Sequence, residues 1–105
     1  MPVLIQVDFS KKAPFGDEMA AQFKGIAESI AEEPGLIWKI WSENEKAHEA
    51  GGLYLFEDHA SAEAYLQMHV PRLKAQGFEN IRAKTFDINE PLTHITHGPI
   101  IKSGT

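Results

Sequence analysis

The chain has no cysteine among its 105 residues. This absence excludes thiol nucleophiles, disulfides, zinc–thiolate sites and iron–sulfur clusters. It also suits a reducing compartment, so we expect a cytoplasmic location. Long apolar runs are missing too, because the longest covers only residues 53–56, and we therefore expect no membrane partner. The start, MPVLIQV, has no basic segment before its apolar residues and is unlike a secretory signal.

Positive charge is scarce. Ten Lys and Arg residues stand against fifteen Asp and Glu residues, which gives a net charge of −5. The basic residues are scattered, and only Lys11 and Lys12 are adjacent. Binding to DNA or RNA requires concentrated positive charge that neutralises phosphates. We therefore expect no nucleic-acid partner.

Cofactor and metal motifs are also missing. The sequence contains no G-x-G-x-x-G, P-loop, G-x-S-x-G or H-E-x-x-H motif, so we expect no cofactor. The nearest approaches to a metal site are His48-Glu49 and the His94-x-x-His97 pair. A metal needs three or four converging ligands, whereas adjacent residues on a strand point apart. We therefore predict no metal site.

Apolar residues that alternate with polar ones predict four strands. These are residues 3–9, 36–43, 48–57 and 80–88. Between the first two, apolar residues at helical spacing predict a helix capped by Asp17 and ending before Pro34. Gly51 and Gly52, near the start of the third strand, indicate a bulge or a close backbone approach.

The second predicted helix follows a cap at Asp58 or Ser61. Pro71 lacks a backbone N–H and restricts the residue before it. We therefore expect a helix over residues 60–69, a break, and a short helix over residues 71–76.

The order β-α-β-β-α-β is typical of a ferredoxin-like α+β sandwich. It predicts a four-stranded antiparallel sheet with both helices on one face. The length predicts a single domain over residues 1–105, in which residues 92–105 form a C-terminal arm.

The second strand is apolar on both faces. Leu36, Trp38 and Ile40 lie on one side, and Ile37 and Trp41 lie on the other. The face without helices therefore needs a cover, and the chain has no element left to supply it. We expect a two-fold homodimer in which two such faces meet. The arm is expected to lie over the partner subunit through its apolar residues, which are Ile95, Ile100 and Ile101.

Four stretches of the sequence closely resemble one known family. They are PFGDEMA at 14–20, EPGLIWKIWSENEKAHEAGGLYLF at 33–56, RLKAQG at 72–77 and AKTFDINEPL at 83–92. The resemblance is to the YdhR family of monooxygenases, and it covers roughly residues 1–96. The departures from the family pattern are Pro71 and the tail from His97 onward.

This resemblance implies more than the fold. The YdhR family belongs to the dimeric α+β barrel superfamily, so it implies a ferredoxin-like fold and a homodimer with facing sheets. It also implies a role in oxidising aromatic compounds. It provides no catalytic residues, which must come from this sequence itself.

The candidate catalytic residues are His69 and Arg72. His69 lies four residues after Tyr65 on one helical face, just before the predicted break. A histidine there could remove the proton of a phenol, and Arg72 could hold the resulting anion. The alternatives are that His69 caps the broken helix and that Arg72 forms a surface ion pair.

The candidate substrate-binding residues are aromatic: Trp38, Tyr54, Tyr65 and Phe23. Trp38 and Trp41 must point to opposite faces of a regular strand, and we expect Trp38 to line a pocket between sheet and helices. A structural role in the core is the alternative for each of these rings.

Three functions remain open from the sequence. The first is a cofactor-independent monooxygenase that acts on a small electron-rich aromatic, because such a substrate can itself supply the electrons. The second is a protein that binds aromatic metabolites without turnover. The third is a haem-binding protein with His48 or His69 as the axial ligand.

Overall fold

The computed structural model describes residues 1–100 of the chain. Its elements are β1 (Val3–Ser10), α1 (Gly16–Ala31), β2 (Leu36–Asn44), β3 (Glu49–Phe56), α2 (His59–Ala75), β4 (Glu79–Asp87) and α3 (Glu90–Ile95). The short helix α3 overlaps the start of the predicted C-terminal arm, residues 92–105. The predicted anchor Ile101 lies outside the described residues. Within residues 1–100, no helix combines the length and apolar character that crossing a bilayer requires.

The four strands form one antiparallel sheet in the order β2-β3-β1-β4. The alternation of β1 agrees with this central position, because Val3, Ile5, Val7 and Phe9 are buried, whereas Gln6 is exposed. Both long helices pack on the buried side, where their apolar residues join those of the strands in one core. The predicted ferredoxin-like α+β fold is confirmed.

Helix α2 runs without interruption through Pro71, so the predicted break is wrong. A proline inside a helix costs about 3 kcal/mol, since it removes a backbone donor and crowds the preceding turn. Packing on the sheet offsets this cost here: His69 and Leu73, on either side of Pro71, are each only 3% exposed. Gly77 follows the helix with a φ of 89°, a conformation that glycine adopts freely.

The two long helices begin in different ways. The predicted Asp17 cap is wrong, because α1 begins at Gly16 without a side-chain cap from its own segment. Glu43 of β2 supplies the acceptor, and the Gly16 N–H lies 3.1 and 3.2 Å from its two carboxylate oxygens. The cap of α2 is confirmed, since Asp58 accepts a hydrogen bond from the Ser61 N–H at 2.8 Å.

The glycine pair of β3 marks a close backbone approach. A Cβ on Gly51 would overlap the carbonyl oxygen of Val7 on the neighbouring strand, so no side chain fits there. The pairing of β3 runs without a register shift through Gly51 and Gly52 on both sides. The close approach is therefore confirmed, and the alternative of a bulge at this point is wrong.

The sheet face away from α1 and α2, called here the open face, is partly covered by the chain itself. Trp38 Nε1 donates to the Pro99 carbonyl oxygen at 2.7 Å, and Ile100 is 8% exposed. Leu55, which points to this face, is fully buried. The expectation that the chain supplies no cover is thus wrong for one end of this face, where residues 99–100 lie on their own sheet. Two large apolar side chains of this face stay exposed, namely Ile40 and Phe86.

Candidate active site

Four polar side chains form a hydrogen-bonded row between the sheet and α2. Tyr65 donates its hydroxyl hydrogen to the Tyr54 oxygen at 3.1 Å, and that oxygen lies 3.3 Å from Nε2 of His69. A guanidinium nitrogen of Arg72 lies 2.9 Å from Nδ1 of His69. The three α2 residues share one helix side because they are four and three positions apart. This set is called the polar row, and its three rings are buried.

Arg72 fixes where the protons of the polar row lie. A guanidinium carries only N–H groups, so it donates and Nδ1 of His69 accepts. A neutral imidazole that accepts at Nδ1 carries its proton on Nε2, which therefore donates to Tyr54. The Tyr54 oxygen thus accepts twice, and its own hydrogen can serve a ligand. Because both ring nitrogens of His69 are engaged, His69 offers no free lone pair to a haem iron.

Burial keeps the rings of the polar row uncharged. It lowers the pKa of His69 to about 3, and the charges of Lys39 and Arg72 act in the same direction. It raises the pKa of Tyr54 to about 12, although the hydrogen bond from Tyr65 opposes the shift. Burial, followed by the interaction with Tyr54, raises the pKa of Tyr65 even further. At neutral pH the polar row can donate hydrogen bonds, but His69 is a weak base and does not readily take up a proton.

Lys39 is a site residue that the sequence analysis missed. Its Nζ lies 3.2 Å from the ring centroid of Trp41 and 4.5 Å from that of Tyr54. Among residues 1–100, no carboxylate or carbonyl accepts a hydrogen bond from this ammonium group. Burial and, to a smaller extent, the charge of Arg72 lower the pKa of Lys39 to about 7. Gly52 makes room for this side chain, because a Cβ there would lie 2.5 Å from Cε of Lys39.

Two adjoining spaces lie beside the polar row. The inner one is a cavity of about 20 Å³ that Lys39, Tyr54 and His69 help to line. The outer one is a cleft of about 280 Å³ between α1 and the end of β2. Phe23 and Trp41 line both spaces and stack on each other with centroids 5.9 Å apart. This pair therefore forms the partition between the inner cavity and the outer cleft.

Trp38 does not line this pocket, and Trp41 takes the place that the sequence assigned to it. The reason is a bulge near the start of β2. Leu36 pairs with Phe56, which faces the helices, but Trp38 pairs with Leu55, which faces away. The bulge inverts the alternation, so the residues after it point to the face opposite to the one that a regular strand predicts.

The other predicted residues come together. Tyr54, Tyr65, His69 and Arg72 form the polar row, and Phe23 lies in the adjoining wall. His69 is interior to a continuous helix and so does not cap a broken end. Arg72 points inward, and its Nε is buried without a hydrogen-bond partner among residues 1–100. In the same range, no three His, Cys, Asp or Glu side chains lie together as metal ligands would.

The fold and the pocket together define a ferredoxin-like protein with an apolar, helix-covered site. Residues 4–99 match the family described as "Putative mono-oxygenase ydhR". The chain belongs to this family, and the resemblance stated from the sequence is confirmed.

Several solved structures share this fold. SnoaB, described as a cofactor-independent oxygenase from Streptomyces nogalater, is 17% identical with a TM-score of 0.61, over 84% of this chain and 93% of that one. A protein called YJCS is 13% identical with a TM-score of 0.62, over 85% of this chain and 100% of that one.

A third structure is a "putative antibiotic biosynthesis monooxygenase" from Deinococcus radiodurans. It is 13% identical with a TM-score of 0.56, over 85% of this chain and 93% of that one. At such identities the likeness shows the fold alone. No protein with a curated description matches the chain.

Proposed function

We propose that this protein is a cofactor-independent monooxygenase that oxidises a small electron-rich aromatic, such as a phenol, between the sheet and the helices. The observation that carries the proposal is the buried polar row beside an apolar cavity. Membership of a family described as mono-oxygenases supports it. The description of SnoaB as a cofactor-independent oxygenase supports the absence of a cofactor.

The chemistry needs no external reductant. A phenol that loses its hydroxyl proton becomes an anion that can pass one electron to O₂. The two radicals combine at a ring carbon to give a peroxide. The O–O bond and the C–H bond of that carbon then break, and the hydrogen leaves with the outer oxygen as hydroxide, which gives a quinone. One oxygen atom of O₂ thus enters the ring and the other ends in water, so phenol and O₂ give quinone and water in a balanced reaction.

The polar row would bind and orient the anion. The Tyr54 hydroxyl can donate to the oxygen on which negative charge develops, and His69 and Arg72 hold Tyr54 in place. Apolar walls on the α1 side, which include Met19 and Phe23, would exclude water from the anion and the peroxide. In this assignment His69 and Arg72 act on the anion through hydrogen bonds and charge.

The sizes of the two spaces support a proposal for the route of the substrate. A cavity of about 20 Å³ holds a water molecule, whereas a benzene ring occupies a cavity of about 150 Å³. The outer cleft, at about 280 Å³, is large enough for a ring. Trp41 is 37% exposed and stands between the two. We propose that rotation of Trp41 lets the ring pass from the cleft to the polar row.

The proposal includes a homodimer formed through the open face. Ile40 is 53% exposed and Phe86 is 43% exposed on this face, so apolar surface remains there after the chain's own cover. A two-fold pairing would bury both residues in each subunit while leaving the outer cleft, on the other side of the sheet, accessible.

Oxygen uptake tests the proposed function. Wild-type protein with a chelator is mixed with a panel of phenols and hydroquinones in an oxygen electrode. We expect uptake with at least one member, and a loss of about 10²-fold or more in Tyr54→Phe, which removes one hydroxyl donor. Tight binding of these compounds without any oxygen uptake would contradict the proposed enzymatic activity and indicate a binding protein.

A further inference from the structure

Lys39 is placed where a structural role does not explain it. It is a cationic side chain of β2 on the helix-covered face, packed against the rings of Trp41 and Tyr54. It lines the inner cavity together with Tyr54 and His69. The side chain is partly buried, and among residues 1–100 its nitrogen contacts only these rings and has no hydrogen-bond acceptor.

A second lysine shows what a structural buried lysine looks like in this protein. Lys11 is 5% exposed, and its Nζ donates to the carbonyl oxygens of Lys12 and Pro14 at 3.0 and 2.9 Å. These bonds hold the loop before α1 and occupy the ammonium group. Lys39 makes no comparable bonds, so its nitrogen remains free to exchange a proton with a ligand.

We propose that Lys39 is the general base of this site and takes the hydroxyl proton of the aromatic substrate. This inference rests on the proposed function. The geometry supports it because Nζ lies 3.2 Å from the Trp41 ring centroid, at the partition between cleft and cavity. A substrate ring that replaces the indole of Trp41 would lie beside this nitrogen and beside Tyr54.

The proton step balances. The O–H bond of the substrate breaks, its electron pair stays on the oxygen, and the proton forms a fourth bond to the neutral Nζ amine. The resulting ammonium stands beside the phenolate and stabilises it. After O₂ has reacted and hydroxide has left, the ammonium returns its proton to that hydroxide, which gives water and restores the amine.

The groups around Lys39 favour its neutral form. Arg72 and His69 face it from α2 and Tyr54 from β3, and none of them carries a negative charge. The nearest carboxylate on the same side of β2, Glu43, accepts from the Gly16 N–H at the start of α1. Because burial brings the pKa of Lys39 to about 7, a substantial fraction of the amine is neutral at physiological pH.

Binding of 4-nitrophenol without oxygen tests this role independently of turnover. The absorbance of this probe distinguishes the phenol from the phenolate. We expect wild-type protein to bind the phenolate, and Lys39→Met to bind the neutral phenol at the same pH. The matched control Lys24→Met, on the exposed side of α1, should behave like wild type. Equal ionisation in wild type and Lys39→Met, or no binding to wild type, would overturn the inference.

The turnover rate with a phenol that the protein oxidises distinguishes two roles of Lys39, a general base and a fixed positive charge. Lys39→Arg keeps the charge but cannot accept a proton. We expect both Lys39→Met and Lys39→Arg to lose about 10² to 10⁴ in kcat. The wild-type rate should rise as the pH passes about 7, a rise that both variants lack. Full activity in a folded Lys39→Arg protein would overturn the inference. Lysine-dependent ionisation without oxygen uptake would instead overturn the proposed function and leave Lys39 as a proton acceptor.

Discussion

The two faces of the sheet carry similar types of residue but expose them differently. On the helix-covered face, apolar residues enclose a polar row whose members hydrogen-bond to one another. On the open face, Arg82 pairs with Asp8 and Glu49 in solvent, while Ile40 and Phe86 remain exposed. The first face thus has the enclosure and the tuned groups that chemistry requires. The second has the exposed apolar surface that the proposed dimer requires.

The contrast also explains where charge is tolerated. Arg82 on the open face is 62% exposed and meets two carboxylates, so its charge costs little. Lys39 and Arg72 lie on the covered face, where no carboxylate among residues 1–100 pairs with them. Arg72, and Lys39 once it has taken the proton of the substrate, are suited to stabilising an anion beside an apolar cavity. The same groups on the open face would only add to the surface charge.

The largest expected effect is a loss of stability when a phenylalanine of the helix-covered face is truncated, in contrast to a phenylalanine of the open face. Phe56 is fully buried under the helices, so Phe56→Ala should lower the free energy of unfolding by about 3–5 kcal/mol. Phe86→Ala on the open face should change it by less than about 1 kcal/mol in the monomer. Urea unfolding at low protein concentration measures both. Equal losses would contradict the division of roles between the faces.

Charge placed on the open face should break the dimer. Ile40→Glu puts a carboxylate into each half of the proposed interface, and we expect the dissociation constant to rise about 100-fold, or about 2.7 kcal/mol. Sedimentation over a range of concentrations measures it. Met68→Glu, at a 38% exposed position of α2, is the control and should leave the dimer intact. A wild-type chain that stays monomeric at micromolar concentration would refute this assembly.

Acid should destabilise the covered face through His69. Its folded pKa of about 3 lies below the ordinary 6.5, so the unfolded chain binds a proton that the folded chain excludes. The stability due to the neutral imidazole is therefore complete above pH 6.5 and is lost as the pH falls towards 3, by about 1.4 kcal/mol per pH unit. His69→Gln should lack this slope, and the exposed control His59→Gln should retain it. Parallel curves for wild type and His69→Gln would contradict the burial of a neutral histidine.

The smallest effect should come from Trp38. Trp38→Phe removes the hydrogen bond to the Pro99 carbonyl oxygen but keeps an aromatic ring, so we expect a loss of about 1 kcal/mol. Proteolysis should then cut the chain after α3 faster than in wild type, with the sheet core unchanged. Unaltered cleavage would show that this bond does not hold the segment on the open face.

The fold could be predicted well from the sequence because each strand and helix is indicated by residues within its own segment. In β1, each alternate residue is apolar and buried, whereas the other three strands do not alternate in burial and were recognised from their β-branched and aromatic residues between turns. The predicted break at Pro71 was wrong because a local rule took no account of packing. His69 and Leu73 bind the helix to the sheet across that point, and no pattern within the helix reveals this.

The site was predicted only in part. Helical spacing brought Tyr65, His69 and Arg72 together correctly, since a helix has a fixed period. The partner strand was harder, because the bulge in β2 shifts Trp38 to the open face and brings Lys39 and Trp41 to the covered one. A bulge has no reliable sequence signal. The one sign was a lysine within the apolar run LIWKIW, whose meaning depends on the face to which it points.

The most direct test of the central claim follows isotopically labelled O₂ through the reaction. Wild-type protein, with a chelator and no added reductant, is given a phenol that supports oxygen uptake, and the product is analysed before it exchanges with water. The account predicts one labelled oxygen atom in each product molecule and an equal amount of labelled water, and it predicts that both form about 10²- to 10⁴-fold more slowly in Lys39→Met. Unlabelled product, or turnover that requires an added reductant, would contradict it.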